Sequence, residues 1–460
     1  MNDCTIVLLG ASGDLAKRKI IPALYRLIER GILKKFLLIG AALDSISSDQ
    51  MLQQAEEFIG DINNVVWEKL QKSSFYLTFN FTNAADYTAL QQQTHEYEKQ
   101  HGMSGNRIIY VAAASQFFCE ITRYLAASGL AQRLDTKEKI WHRLVYEKPF
   151  GHDLPSAQEI NRCIEKSFFE QQIYRIDHFL SKELVSNIAL LRFTNIFFEP
   201  LWNNRYIDNV QIFLNEKIGI EGRGAYYDQY GALADVMQNH MLEMLALIAM
   251  ESPATLLGDD VRTARAELLA QVNFADGILG QYEGYQAEHA VSPDSKTETF
   301  AAVVLTVNNK RWQGVPFYLE TGKKLAEKQT GIYITFKEVD CLLTKQCPSQ
   351  PNSLTIQIAP KQFFSLQVNA KKVGSFAAVE PVQMEFCHNN IALLAYETLL
   401  EAIYKADQSV AVRFDEIEYS WKIIDAIKSA DLPLYRYKPE SHGPQELKTF
   451  TRMHKIREQK

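Results

Sequence analysis

The 460-residue chain has no apolar run that approaches the ~20 residues a membrane span needs. Nor does a basic segment precede the first apolar stretch, which begins at Cys4, so a secretory leader is not expected. There is no excess of positive charge: the net charge is −6, which leaves no global field for nucleic acid. The six cysteines, at 4, 119, 163, 341, 347 and 387, form no CxxC pair. The gap from Cys341 to Cys347 suits neither a zinc knuckle nor a redox dithiol. Reduced, buried thiols, no metal site and a cytoplasmic setting are therefore the expectation. Repeats, low-complexity tracts and obvious linkers are lacking as well. What remains is ordinary for a soluble globular protein, with 47% hydrophobic and 23% charged residues, and the length favours two domains.

The apolar pattern changes character along the chain. Residues 4–9 and 36–40 are short continuous apolar runs, as buried parallel strands require. Between them Leu15, Ile20, Leu24 and Leu27 fall at helical spacing, which gives a β-α-β unit at the start. Residues 107–111 and 143–146 predict further strands of the same sheet. Beyond about residue 200, the segments 209–214, 299–307, 332–336, 354–358 and 364–368 are rich in β-formers, with no regular helix between the later ones. That pattern predicts a mostly antiparallel sheet. The Met-rich stripe of 235–250 reads as core. The fold expected is an α/β Rossmann-type N-terminal domain (1–175) followed by an α+β domain with a large, mostly antiparallel sheet (176–460).

After the first strand comes Gly10-Ala-Ser12-Gly13-Asp14-Leu15-Ala16, and then a helix. Glycines in such a turn let the backbone approach a diphosphate, and the helix start receives its charge. A tight turn needing glycine for φ alone would look similar, but the position, first strand to first helix, favours a dinucleotide. Where the second strand ends, an acid accepts the ribose hydroxyls of NAD, whereas an arginine accommodates the 2′-phosphate of NADP. Leu43 and Asp44 stand there, which leans toward NAD, although Asp44 also suits a helix N-cap.

Polar residues concentrate between 147 and 240: Glu147-Lys-Pro-Phe-Gly151, Tyr174-Arg-Ile-Asp-His-Phe-Leu-Ser-Lys-Glu183, and a segment ending Asp235-Val-Met-Gln-Asn-His240. Oxidising an alcohol with a nicotinamide needs a base for the hydroxyl proton, and histidine titrates close to working pH. A carboxylate on its other nitrogen would fix the tautomer. Lysines and a second histidine can hold a phosphate.

With Gly10–Lys19, Val315–Lys323, Ala395-Tyr-Glu397 and Ser441-His-Gly-Pro444, these segments resemble the glucose-6-phosphate dehydrogenase family in order from residue 10 to 444. The resemblance implies that His240 is the general base and Asp177 orients it. It implies that His178 and Lys182 grip the sugar phosphate, with Lys323 and Lys328 closing the site. Glu216 and Asp235 would accept hydrogen bonds from sugar hydroxyls. Lys148, before a cis Pro149, would lie between substrate and cofactor, the latter NADP or NAD on Gly10, Ser12, Gly13, Asp14, Leu15 and Asp44. It further implies a homodimer or homotetramer formed through the large sheet. The chain departs from the family at Leu43 (usually arginine), Phe179 (tyrosine), Ser181 (glycine), Leu279 and Glu320 (arginines) and the stretch Tyr110–Ser115. A member acting on another phosphosugar, and a non-catalytic partner, are the rival readings.

Overall fold

The computed structural model describes residues 3–135, 137–339, 349–375, 378–386 and 395–456. Cys341, Cys347 and Cys387 lie outside them. The chain divides into two compact units, Met1–Lys182 with Leu257–Arg262 and Leu393–Phe414, and Glu183–Leu256 with Thr263–Ala392 and Asp415–Lys460.

In the first unit, the apolar runs form parallel strands β1 (Cys4–Leu9), β2 (Phe36–Ala42), β3 (Ser74–Thr78), β4 (Arg107–Val111), β5 (His142–Glu147) and β6 (Ile173–Ile176). Their order is β6-β5-β4-β1-β2-β3, and the two-residue strand Ala411–Val412 closes the β6 edge antiparallel. Every residue of β1, β2 and β4 is buried, which is why those runs show no polar alternation. Helix Ile21–Glu29 buries Ile21, Leu24, Tyr25, Leu27 and Ile28 against this sheet's core. Two helices, Phe118–Ser128 and Leu154–Ser167, are joined by a Cys119–Cys163 disulfide with Cα atoms 5.3 Å apart. This corrects the expectation of unpaired thiols: the partners are 44 residues apart, and only helix packing brings them together. Cys4 is a free, buried thiol, as expected.

Among the described residues the second unit carries a nine-stranded sheet built from β7 (Ile207–Asn215), β8 (Val272–Tyr282), β9 (Phe300–Val307), β10 (Phe317–Gly322), β11 (Gln329–Phe336), β12 (Ser353–Ala359), β13 (Phe363–Lys371) and β14 (Val379–Phe386), with Leu434–Tyr437 at one edge. Its contacts are antiparallel except β7 with β10 and β8 with the edge strand. Met237, Met241, Met244, Leu245 and Ile248 are all buried, so the methionine stripe is core.

Candidate active site

The first unit's polar residues gather at the carboxyl ends of its strands. Beyond β1, Gly10 takes φ +89°, and a Cβ there would meet the Ala112 carbonyl oxygen at 2.4 Å, so only glycine fits the turn. Ser12 and Leu15 are half-buried, Gly13 is exposed, and Asp14 is exposed beside Arg18 (2.8 Å) and Lys17 (3.4 Å) of its own helix. Beyond β2, Leu43 is 65% exposed. Tyr76, from β3, donates its hydroxyl to the Asp44 carbonyl at 2.8 Å and also hydrogen-bonds the Ser12 side chain. The sequence did not suggest Tyr76 beside these residues.

At the end of β5 the Lys148-Pro149 bond is cis. Glu147 accepts hydrogen bonds from Tyr110 (2.5 Å) and Tyr396 (3.2 Å). Burial pushes its carboxyl up to about 6, although both hydroxyls and the neighbouring Lys148 favour the charged form. The Tyr396 ring lies nearly parallel to that of His178, with centroids 6.4 Å apart. Tyr396 comes from the helix Ala395–Lys405, more than two hundred residues away in sequence, and the Ala395-Tyr-Glu397 segment was its one signal. Buried Asp177, one residue past β6, accepts the Phe179 amide at 2.9 Å, which fixes the turn carrying His178. The Lys182 ammonium sits 3.2 Å from the centre of the Phe179 ring, so a cation–π contact occurs where the family usually has tyrosine.

In the second unit, β7 and β10 run parallel with Asn215 opposite Gly322, so the next residues, Glu216 and Lys323, emerge side by side and form a salt bridge. Asp235 and His240 are buried on one helix, and Tyr226 donates to Asp235 at 3.2 Å. Glu320 is buried, accepting from Asn215 (2.7 Å) and Tyr318, and burial raises its pKa. It lines a cavity of about 790 Å³ together with Lys328, Lys361, His442, Lys448 and Tyr333. Lys328 therefore lies on this cavity, whose lining does not include Glu216 or Lys323. Leu279 is a strand residue of β8 opposite Ala301.

Family models for the NAD binding domain and the C-terminal domain of glucose-6-phosphate dehydrogenase match residues 7–187 and 189–458. The chain is 38% identical to glucose-6-phosphate 1-dehydrogenase of Bacillus subtilis (strain 168), covering 96% of this chain and 95% of that one. It is 36% identical to the protein of the same name from Chlamydia pneumoniae, with 96% and 93% covered. A solved glucose-6-phosphate dehydrogenase in complex with its substrate glucose-6-phosphate superposes with a TM-score of 0.92 at 30% identity, over 100% of this chain and 99% of that one. The enzyme from Mycobacterium avium gives 0.84 at 33%, over 97% and 96%.

Proposed function

The chain belongs to the glucose-6-phosphate dehydrogenase family, and on that premise we propose how its own residues divide the work of oxidising glucose 6-phosphate to the phosphogluconolactone. The nicotinamide of NAD or NADP, when bound, accepts the hydride from C1. The fit of such a dinucleotide is supported by the tight Gly10 turn between the first strand and the first helix, which no side chain could share with the Ala112 carbonyl, and by the Ser12–Tyr76–Asp44 cluster beside it. Gly13, Asp14 and Leu15 begin the helix that follows.

His240 takes the C1 hydroxyl proton as hydride departs, and Asp177 orients its imidazole and offsets the charge it gains. His178 and Lys182 bind the phosphate, with Lys323 and Lys328 as further cations. Glu216 and Asp235 accept from the sugar hydroxyls, and Lys148 contacts both substrate and cofactor. The observation that carries this reading is the pairing of Glu216 with Lys323 at the ends of two parallel strands, beside a helix that buries both Asp235 and His240.

Cofactor choice follows from the second strand. An exposed leucine at 43 offers no charge to a 2′-phosphate, and Asp44 repels one, so NAD is preferred. Purified protein with glucose 6-phosphate, followed at 340 nm with each cofactor, tests both points. A higher kcat/KM with NAD is expected, and a large NADP preference would overturn the cofactor reading while leaving the activity in place.

We also infer a homodimer or homotetramer. Val382, Met384 and Phe386 alternate along the outermost strand β14 and leave an apolar strip exposed. A cytoplasmic location is in keeping with the plant relatives whose names state it, at 35% identity. Among the described residues, no helix is long and apolar enough to cross a membrane.

A further inference from the structure

His240 follows Asp235 by five residues. In an α-helix, at 3.6 residues per turn, that spacing turns the second side chain about 140° from the first. Leu233–Met241 is instead a π-helix. Its wider turn, bonded from i to i+5, brings the fifth residue back over its start. The Leu242 amide shows this, reaching the Met237 carbonyl five residues earlier as well as that of Asn239. Asp235 and His240 share one aspect of the helix because of this register. Such turns are rare and give way to the α form unless something holds them.

Two side chains hold it. Inside the helix, Asn239 donates its amide to the carbonyls of Ala234 (3.2 Å) and Asp235 (3.1 Å), and its oxygen accepts the His240 N–H at 2.7 Å. At the helix start, Ala232 supplies no side-chain cap. Glu298, from the loop before β9, does so in its place. Its Oε1 accepts the Leu233 N–H at 3.0 Å, and its main-chain carbonyl accepts the Ala232 N–H at 3.0 Å. The preceding residue is Gly231, at φ +63°, and a Cβ there would lie 2.3 Å from Glu298 Oε1. The missing side chain is therefore what gives the carboxylate its seat. Gly231 breaks the chain direction, Glu298 fills the gap, and the π-helix starts from that fixed point.

We propose that Glu298 is a positioning residue for the reaction: its carboxylate, capping the π-helix at Leu233, holds the register that presents His240 together with Asp235. This deepens the reading of His240 as base and rests on it. Proton transfer requires the imidazole within hydrogen-bond reach of the hydroxyl, and a displacement of about 1 Å can cost on the order of a hundredfold in rate. Glu216 and Lys323 sit on other elements, and the bond from the Lys323 N–H to the Thr299 carbonyl (2.9 Å) uses main chain alone, so both are expected to keep their places when the Glu298 carboxylate is lost.

The test compares Glu298→Ala with Glu298→Gln, which keeps an acceptor oxygen at the same reach. E298A should lose about ten- to a hundredfold in kcat, with KM for glucose 6-phosphate changed less than about threefold. Its acid limb of kcat/KM against pH, set by the base, should shift. E298Q should restore most of kcat and the parental pH profile. Parental kcat and pH profile in E298A would overturn the proposal, as would equal loss in E298A and E298Q. Should E298A fail to fold, Glu298→Asp, one methylene too short to reach Leu233, takes its place with the same expectations. H240N is measured alongside: full activity there overturns both the base assignment and the role of Glu298. An inactive H240N beside a fully active E298A overturns the role of Glu298 alone.

Discussion

The first unit delivers Gly10, Asp44, Lys148 and Asp177 from just beyond the carboxyl ends of four parallel strands, β1, β2, β5 and β6. The second unit has a larger sheet with two parallel contacts among its described strands, and one of them, β7 with β10, ends at Glu216 and Lys323. Parallel neighbours end at the same level, so residues leaving them start side by side, whereas antiparallel neighbours send their ends in opposite directions. The two units thus use one device to different extents. For Asp235 and His240 the second unit uses a buried π-helix instead. A sheet fixes position through many shared hydrogen bonds, while the helix depends on a few side-chain contacts at its start and along its turn.

Substitutions can break this contrast at several points. The largest effect belongs to the helix. Histidine 240 changed to asparagine should lower kcat by about 10²- to 10⁴-fold with little change in the substrate's KM, measured by steady-state kinetics. Full turnover would move the base elsewhere. At the strand ends of the second unit, Lys323→Met should raise KM for glucose 6-phosphate about tenfold or more, in line with the ~1.5–3 kcal/mol of a charged hydrogen bond. An unchanged KM would mean that the parallel pair serves only the fold.

The smallest effect lies in the first unit, at Glu147. Its carboxyl titrates near 6 in the fold against 4.5 when unfolded, so the folded protein holds the proton more tightly. That contribution to stability is full below about 4.5 and is lost as pH rises through about 6. Glu147→Gln carries no such dependence. Its stability relative to the parent should therefore rise between pH 4.5 and 7, by roughly 2 kcal/mol at most, as followed by denaturant melts. A flat difference across that range would show that Tyr110 and Tyr396 offset the burial of the charge.

The sequence made the strands of the first unit legible where both faces are buried. It was less informative at β3, an edge strand with half-exposed residues, and at β6, whose Arg175 interrupts the apolar run. The glycine turn was readable because strand, turn and helix adjoin in sequence. Tyr76 beside Asp44, Tyr396 beside Glu147 and Cys119 beside Cys163 were not, because each contact joins segments at least 32 residues apart and no local pattern records it. The helix around His240 was legible from its methionines. Its π register was not, because a helical stripe is compatible with either turn. Lys328, in the loop just before β11, lines the cavity with Glu320 and His442, a neighbourhood that no local pattern records.

The helix Ala395–Lys405 and strand Ala411–Val412 belong to the first unit although they are made near the end of the chain. Leu399, Leu400 and Ile403 enter its core, Glu401 pairs with Arg30 at 2.9 Å, and Ala411–Val412 covers the open side of β6. During synthesis strands β1 to β6 emerge well before residues 395–412, and until those arrive the unit carries an uncovered sheet edge and an unfilled apolar surface. Maturation of the cofactor-binding unit is thus tied to a segment translated more than two hundred residues after its sixth strand.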